Sequence, residues 1–271
     1  MSREIINGAI SESGAVRREI SRADTVYIAM ELGERILQSG GEILRAEDTV
    51  SRICRAYGAV TVDVTVILSV IILTADFGGE SINSSRRVHE ISSNNLGRLA
   101  RLNALSRRIC RDLPTKAEFE EQLQEAEKAS VIKPLRQLLG GILTAAGFAA
   151  FFGGGWIDSL FSAIIVLPMT VLGILLAKTR INNFIAKFLV CFVGGMGAVL
   201  ISRLGIPCNA DMIMIGDIMT VIPGVLLTNS FRDLFSGDVM SGFFRLCTAV
   251  LDAVTIACGY AVAILIIGGV V

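Results

Sequence analysis

The chain is 271 residues long and 52% hydrophobic, with a mean hydropathy of +0.63 and 27 glycines, which argues against an ordinary soluble domain and suits several membrane spans. Lys and Arg number 25, as do Asp and Glu; with zero net charge and no basic tail, nothing points to nucleic acid. Six cysteines without a CxxC or a Cys/His cluster exclude a zinc site or disulfide framework and read as small apolar packing residues, and no cofactor or metal is expected.

Charge is spread unevenly. Beyond Arg136 the cations are Lys178, Arg180, Lys187, Arg203, Arg232 and Arg245, and the anions are Asp158, Asp211, Asp217, Asp233, Asp238 and Asp252. The first half therefore reads as water-facing and the second as lipid-facing. The opening "MSREIINGAISESGAVRREI" lacks the continuous apolar core of a secretory signal, which places the first domain in the cytoplasm. The expected fold is an α-helical membrane protein. It has a flexible N-terminal lead over 1–23, a cytoplasmic α/β domain with a helical connector over 24–133, and a five-helix transmembrane domain over 134–271.

In chain order, "ADTVYIAMELGERILQSGG" places Val26, Ile28, Met30, Leu32, Ile36 and Leu37 at near-helical spacing, with Gly40-Gly41 as the stop. "EDTVSRICRAYG" reads as a second helix, with Glu47 and Asp48 in its first turn, where the dipole favours carboxylates, and Gly58 at its end. "AVTVDVTVILSVIILTAD" is too short for a span, contains Asp63 and is crowded with Val, Ile and Thr. It reads as two strands, followed by "FGGESINSS" as a turn and "RRVHEI" as a third strand. Two helices follow. The first buries Leu96, Leu99, Leu102, Leu105 and Ile109, and the second, "TKAEFEEQLQEAEKASVI", is acidic and faces the arginines of the first or leaves them to anionic lipid. His89, the single histidine, reads as solvated.

After Pro134 come five candidate spans, near 137–153, 157–177, 184–202, 211–228 and 243–269. The turn "GGGWID" has no basic residue, "AKTRINNFIAK" has three, "RLGIPCNAD" one and "NSFRDLFSGDVMSGFFR" two. With the first domain inside, the two richer loops also fall inside and the C-terminus falls outside. Paired glycines in the spans suit close helix contact.

The stretch from Asp217 to Arg245 sits between apolar runs yet carries Asp217, Arg232, Asp233, Asp238 and Arg245. Charges in a span are costly and usually face a cavity, a partner helix or a substrate path. Pro223-Gly224 is a pair that breaks a helix, and broken helices expose backbone groups at a midplane site. On that reading Asp217, Pro223 and Gly224 line a path, and Asn229, Arg232, Asp233 and Asp238 form its cytoplasmic mouth. Asp217 reads equally well as a residue at the outer interface or bonded to a neighbouring helix. Asp252 lies inside the fifth span, where it serves function or links helices. Arg232 and Arg245 would suit a carboxylate substrate, although Arg232 and Asp233 also read as loop anchors.

"IPGVLLTNSFRDLFSGDVMSGFFR", with "LQSGGEILRAEDTVSRICRAYG" and "RLARLNALSRRI" upstream, resembles the bacterial threonine/serine exporter family, and more closely the domain-bearing subunit of its split form, over about 24–268. The resemblance implies an inner-membrane exporter of small hydrophilic metabolites, amino acids or a dicarboxylate such as succinate, coupled to the proton gradient. Gly40, Gly41, Glu47 and Asp48 match the family's signature in the first domain. Pro223, Gly224, Asn229, Arg232, Asp233, Gly237, Gly242 and Arg245 match the signature after the fourth span. Fused members carry a second bundle for which 271 residues leave no room, so the resemblance implies a separate small membrane subunit as partner; self-association is compatible with it.

No Ser-His-Asp set, P-loop or HExxH motif occurs, which argues against an enzyme and against direct ATP drive. A membrane-anchored regulatory or scaffold protein is the alternative, and charges within the fourth and fifth spans count against a mere anchor.

Overall fold

A computed structural model describes residues 20–67, 69–89, 95–131, 133–179 and 181–268. Most of the expected N-terminal lead, 1–19, and Arg180 of the basic loop lie outside the described residues. Helix α1 (Arg22–Gln38) starts where the Ser21 hydroxyl accepts the Ala23 N–H, and it ends in a left-handed Gly40 with φ 83°. The Gly40 N–H then bonds Leu37 O and the Gly41 N–H bonds Ile36 O, the pair of bonds that closes a Schellman cap.

Helix α2 (Ile43–Ala56) begins four residues before Glu47. The expected placement of Glu47 and Asp48 in its first turn is therefore corrected: they lie in the second, and the start has another cap, described below. Strands β1 (Thr61–Ile67), β2 (Val70–Asp76) and β3 (Ser81–Arg87) form an antiparallel meander in the order β1-β2-β3. Val62 pairs with Ala75 and Val66 with Ile71, which puts these four and Leu73 on one covered face, while Ile67 and Ile72 point to the exposed one. The third strand differs from expectation. It begins at Ser81, inside the stretch read as a turn, and the chain reverses over 77–80 only. β3 is an edge strand whose residues are exposed or half-buried, so its polar sequence suits a strand that faces water.

Helices α3 (Leu96–Asp112) and α4 (Lys116–Lys128) form a hairpin. Thr115 and Glu118 make a capping box at the start of α4. Leu102, Leu105 and Ile109 are buried as expected, whereas Leu96 is exposed. The arginines divide: Arg98 pairs with Glu127 at 2.6 Å and Arg101 donates to Ala129 O, while Arg111 pairs with its neighbour Asp112 at the surface. Ile28, Leu32 and Ile36 of α1, Ile53 of α2, Leu73 of β2 and Phe119 of α4 share one core with these helices.

The second half is helical throughout its described residues: α5 (Pro134–Phe151), α6 (Trp156–Leu176), α7 (Asn183–Arg203), α8 (Ala210–Ile218), α9 (Gly224–Phe235) and α10 (Val239–Gly268). α5 packs on α6, α6 on α7 and α7 on α10. The short α8 fills the angle between α5, α6 and α7, and α9 lies along α10. Helices α6, α7 and α10 are long and apolar enough to cross a membrane, with only 22–28% of their most apolar windows buried, so their greasy surface faces outward as lipid requires. α5 spans 18 residues but carries Arg136 and Gln137 in its first turn; α8 and α9, with 9 and 12 residues, are each too short alone. All six cysteines are free. Cys54 and Cys191 pack internally as expected, but Cys247 and Cys258 lie exposed on α10, where an apolar surround outside the chain would cover them.

Candidate functional site

The helix break expected at Pro223-Gly224 is present. α8 stops at Ile218, the chain turns through 219–223, and α9 starts at Gly224 with Pro223 as its N-cap. Proline cannot donate the N–H that would continue a helix. At the end of α8 the Asp217 carbonyl accepts both the Thr220 N–H at 3.1 Å and the Thr220 hydroxyl at 2.7 Å, so this backbone group at the break is satisfied.

Asp217 is completely buried. Its Oδ1 accepts the Ser162 hydroxyl of α6 at 2.7 Å, and its Oδ2 has no partner. The Tyr260 hydroxyl of α10, within electrostatic reach, is also buried and unpartnered. Gly216 explains how the carboxylate gets so deep: a Cβ there would lie 2.5 Å from Ala145 O and 2.6 Å from Ser162 Oγ. Only glycine lets α8 close on α5 and α6 and carry Asp217 to Ser162. Buried polar atoms are normally satisfied, so the unpartnered Asp217 Oδ2 and Tyr260 hydroxyl make this part of the helical half unusual.

Next to this point lies a cavity of about 490 Å³ between α5, α6, α7 and the break. Its polar lining includes Thr144, Thr170, Thr220, Asn183 and Lys187, and Met219, two residues beyond Asp217, forms part of its wall. Lys187 on α7 holds an ion pair with Asp252 on α10. Volume and mixed lining fall in the range of small-ligand sites.

Asn229, Arg232, Asp233 and Arg245 of the signature meet Gly40 and Gly41 at the joint between the two halves. The Asn229 amide donates to Gly40 O at 2.9 Å, and the Arg245 guanidinium donates to Gly41 O at 3.2 Å and pairs with Asp233 at 3.0 Å. Arg232 pairs with Glu42. Asp233 also accepts the Ile43 N–H, so a carboxylate from α9 caps the N-terminus of α2, where the helix dipole favours it. Glu47 accepts the Val66 N–H at 2.8 Å. Burial pushes its pKa up, with the nearby Asp238 adding to the rise and the Val66 N–H opposing it.

The family described as "Putative threonine/serine exporter" matches residues 27–267. The chain belongs to this family. Among relatives of the threonine/serine exporter family, it is 24% identical over 256 residues to the "Probable succinate transporter subunit YjjP" of Escherichia coli (strain K12), covering 93% of this chain and 98% of that one. To the "Threonine/serine exporter" of Corynebacterium glutamicum it is 24% identical over 231 residues, covering 82% of this chain and only 47% of that protein. The "Probable succinate transporter subunit YjjP" of Klebsiella aerogenes is 25% identical over 228 residues, 80% of this chain and 83% of its own. No solved structure matches the chain. Family membership and the apolar helices make this a membrane protein with an exporter's relatives.

For this exporter-family chain, the residues singled out in the sequence fall in several separate places. Gly40, Gly41, Asn229, Arg232, Asp233 and Arg245 come together at the joint, with Glu47 beside Asp238 at its edge. The carboxylates facing Arg232 and Arg245 are Glu42 and Asp233 of the chain itself. Pro223, Gly224 and Asp217 frame the break; Asp252 stands apart from them, on Lys187. Asp48 pairs with Arg52 on the surface, and Asp211 is exposed at the start of α8. Sequence reasoning missed Ser162, Tyr260, Lys187 and the cavity threonines. Lys187 was visible only as loop charge, and nothing in the order of residues tells which hydroxyl a distant helix brings to Asp217.

Proposed function

We propose that this chain is one subunit of a secondary-active exporter of small hydrophilic metabolites, threonine and serine or a dicarboxylate such as succinate, driven by the proton gradient across the inner membrane. The observation that carries the reading is the polar cavity at a broken helix, beside a wholly buried carboxylate with an orphaned oxygen. A static anchor has no use for either feature, whereas a path needs a hydrated entrance and a group able to take and release a proton in a dry place.

In this account residues 24–133 form a cytoplasmic domain and 134–271 a transmembrane domain, with 1–23 as its lead. The chain crosses five times, through α5, α6, α7, the broken α8–α9 pair and α10, and the C-terminus lies outside. The basic α6–α7 loop is then cytoplasmic, and the cavity, lined by Asn183 and Lys187 from the start of α7, opens toward the cytoplasm. Asp217 and Ser162 lie beyond it on the way out. Asp217 carries the proton, the Pro223-Gly224 break lets α8 shift against α9, and Asn229, Arg232, Asp233 and Arg245 transmit the shift to the cytoplasmic domain. No catalytic role is assigned to any residue.

A second membrane subunit supplies the other helical bundle. The coverage of 47% of the Corynebacterium protein and the word "subunit" in the YjjP name support this. Counterflow of labelled serine, threonine and succinate in proteoliposomes holding the chain with and without that second subunit tests the proposal. Exchange that requires both chains is expected. If the complex is folded and assembled but moves none of the three, a scaffold role replaces transport.

A further inference from the structure

Lys187 is the one charged residue among the described residues lining the cavity. Its partner Asp252 comes from behind: the carboxylate side chain is 6% exposed, while Lys187 is 33% exposed. The acid is sequestered between helices and the ammonium opens to the space. An ammonium has three N–H donors, and the bond to Asp252 uses one. The neutral lining nearby offers hydroxyls from Thr144, Thr170 and Thr220 and the amide of Asn183. Thr170 stands over Gly141, where a Cβ would come within 3.2 Å of its Oγ1, so the α5–α6 contact fixes that hydroxyl at the cavity wall.

We propose that this cavity binds a small carboxylate through Lys187, and that Asp252 is the resident counter-ion which the incoming carboxylate displaces. The inference rests on the transport reading for its biological setting, but it concerns a binding site that stands or falls separately. The chemistry is common to amino acids and dicarboxylates: one carboxylate on the ammonium, with the rest of the molecule on threonine hydroxyls and the asparagine amide. Lys187 exchanges one carboxylate for another and so never faces the low-dielectric interior alone. While Asp252 holds Lys187, α7 and α10 are tied; when substrate takes Lys187, that tie opens. Binding thereby loosens α10, which also carries the Arg245 contact to the first domain.

The experiment is equilibrium binding of labelled succinate and labelled serine to the purified full-length complex in detergent, with melting temperatures recorded alongside. Lys187→Gln is expected to weaken carboxylate binding by at least about tenfold, since it removes a charge-assisted bond. Asp252→Asn is expected to strengthen it several-fold, because the internal competitor is gone. A purely structural pair would move both variants in the same direction. The double variant Lys187→Gln/Asp252→Asn, which leaves no unpaired charge, keeps the test open where either single change lowers stability; it is expected to fold and to bind no better than Lys187→Gln. Wild-type affinity in Lys187→Gln, weakening by Asp252→Asn in folded protein, or equal binding of the uncharged diamide of succinate would each overturn the proposal. Counterflow without carboxylate binding at this site would overturn it and leave the exporter reading intact; binding that behaves as described without counterflow would do the reverse.

Discussion

Gly216 and Asp217 are adjacent residues with opposite demands. The glycine exists so that two helices can touch, and the aspartate occupies the depth this creates. A larger side chain at 216 overlaps Ala145 O and Ser162 Oγ, so Gly216→Val is expected to cost about 1–3 kcal/mol through overpacking, read as a fall in the melting temperature of the solubilised protein. Asp217→Asn removes an ionisable group from an apolar core and keeps the acceptor for Ser162. It is expected to leave the melting temperature unchanged or raised, in contrast to its effect on transport. Asp217 was legible in the sequence because a charge in an apolar run has few uses. Its partner was not, because Ser162 looks like any small helix-interface residue until α8 is seen lying against α6.

At the scale of elements, the start of α2 shows why local signals mislead. Glu47 and Asp48 look like first-turn acids, but the helix begins at Ile43 and its cap is Asp233, from α9. A cap supplied from almost 200 residues away leaves no local trace. The polar string "SINSS" likewise reads as a turn because Ile82 is its single apolar residue, although that residue packs on the core from a half-covered face of β3. Arg245→Ala strips the cation from the buried Asp233 and is expected to cost about 3–5 kcal/mol, while Arg245→Ala/Asp233→Ala costs less, since no lone charge remains. Hydrogen exchange at Gly41 to Ile43 should report the opened joint. The edge of the joint is also expected to respond to pH through Glu47. A carboxyl whose pKa is higher in the folded protein than in the unfolded chain contributes stability that is fully present below the unfolded value and is lost as pH rises through the folded one. The wild type is therefore expected to lose stability relative to Glu47→Gln as pH rises from the ordinary carboxylate range upward, measured by thermal melting across that window. A constant difference between the two would contradict the assignment.

At the scale of the molecule, the two halves are joined by a latch of signature residues, and the helical half turns much of its apolar surface outward. Phe243, Phe244, Val250, Leu251 and Val254 of α10 are exposed, together with Cys247 and Cys258. Lipid covers such a surface in a membrane, and in the proposed two-subunit exporter part of it would meet the second bundle. The division into a charged first half and an apolar second half could be read from composition, as could the helix break from Pro223-Gly224. The cavity could not, because it belongs to four segments that meet only in the fold.

The measurement closest to the central claim is counterflow of labelled serine, threonine and succinate by the assembled two-subunit complex, with wild-type and Asp217→Asn compared at equal assembly. Exchange of at least one of these metabolites by the wild type is expected, with a fall of about tenfold or more when the buried carboxylate is lost. Exchange at the same rate in both would remove Asp217 from the path, and a folded, assembled wild type that exchanges none of them would contradict the exporter reading itself.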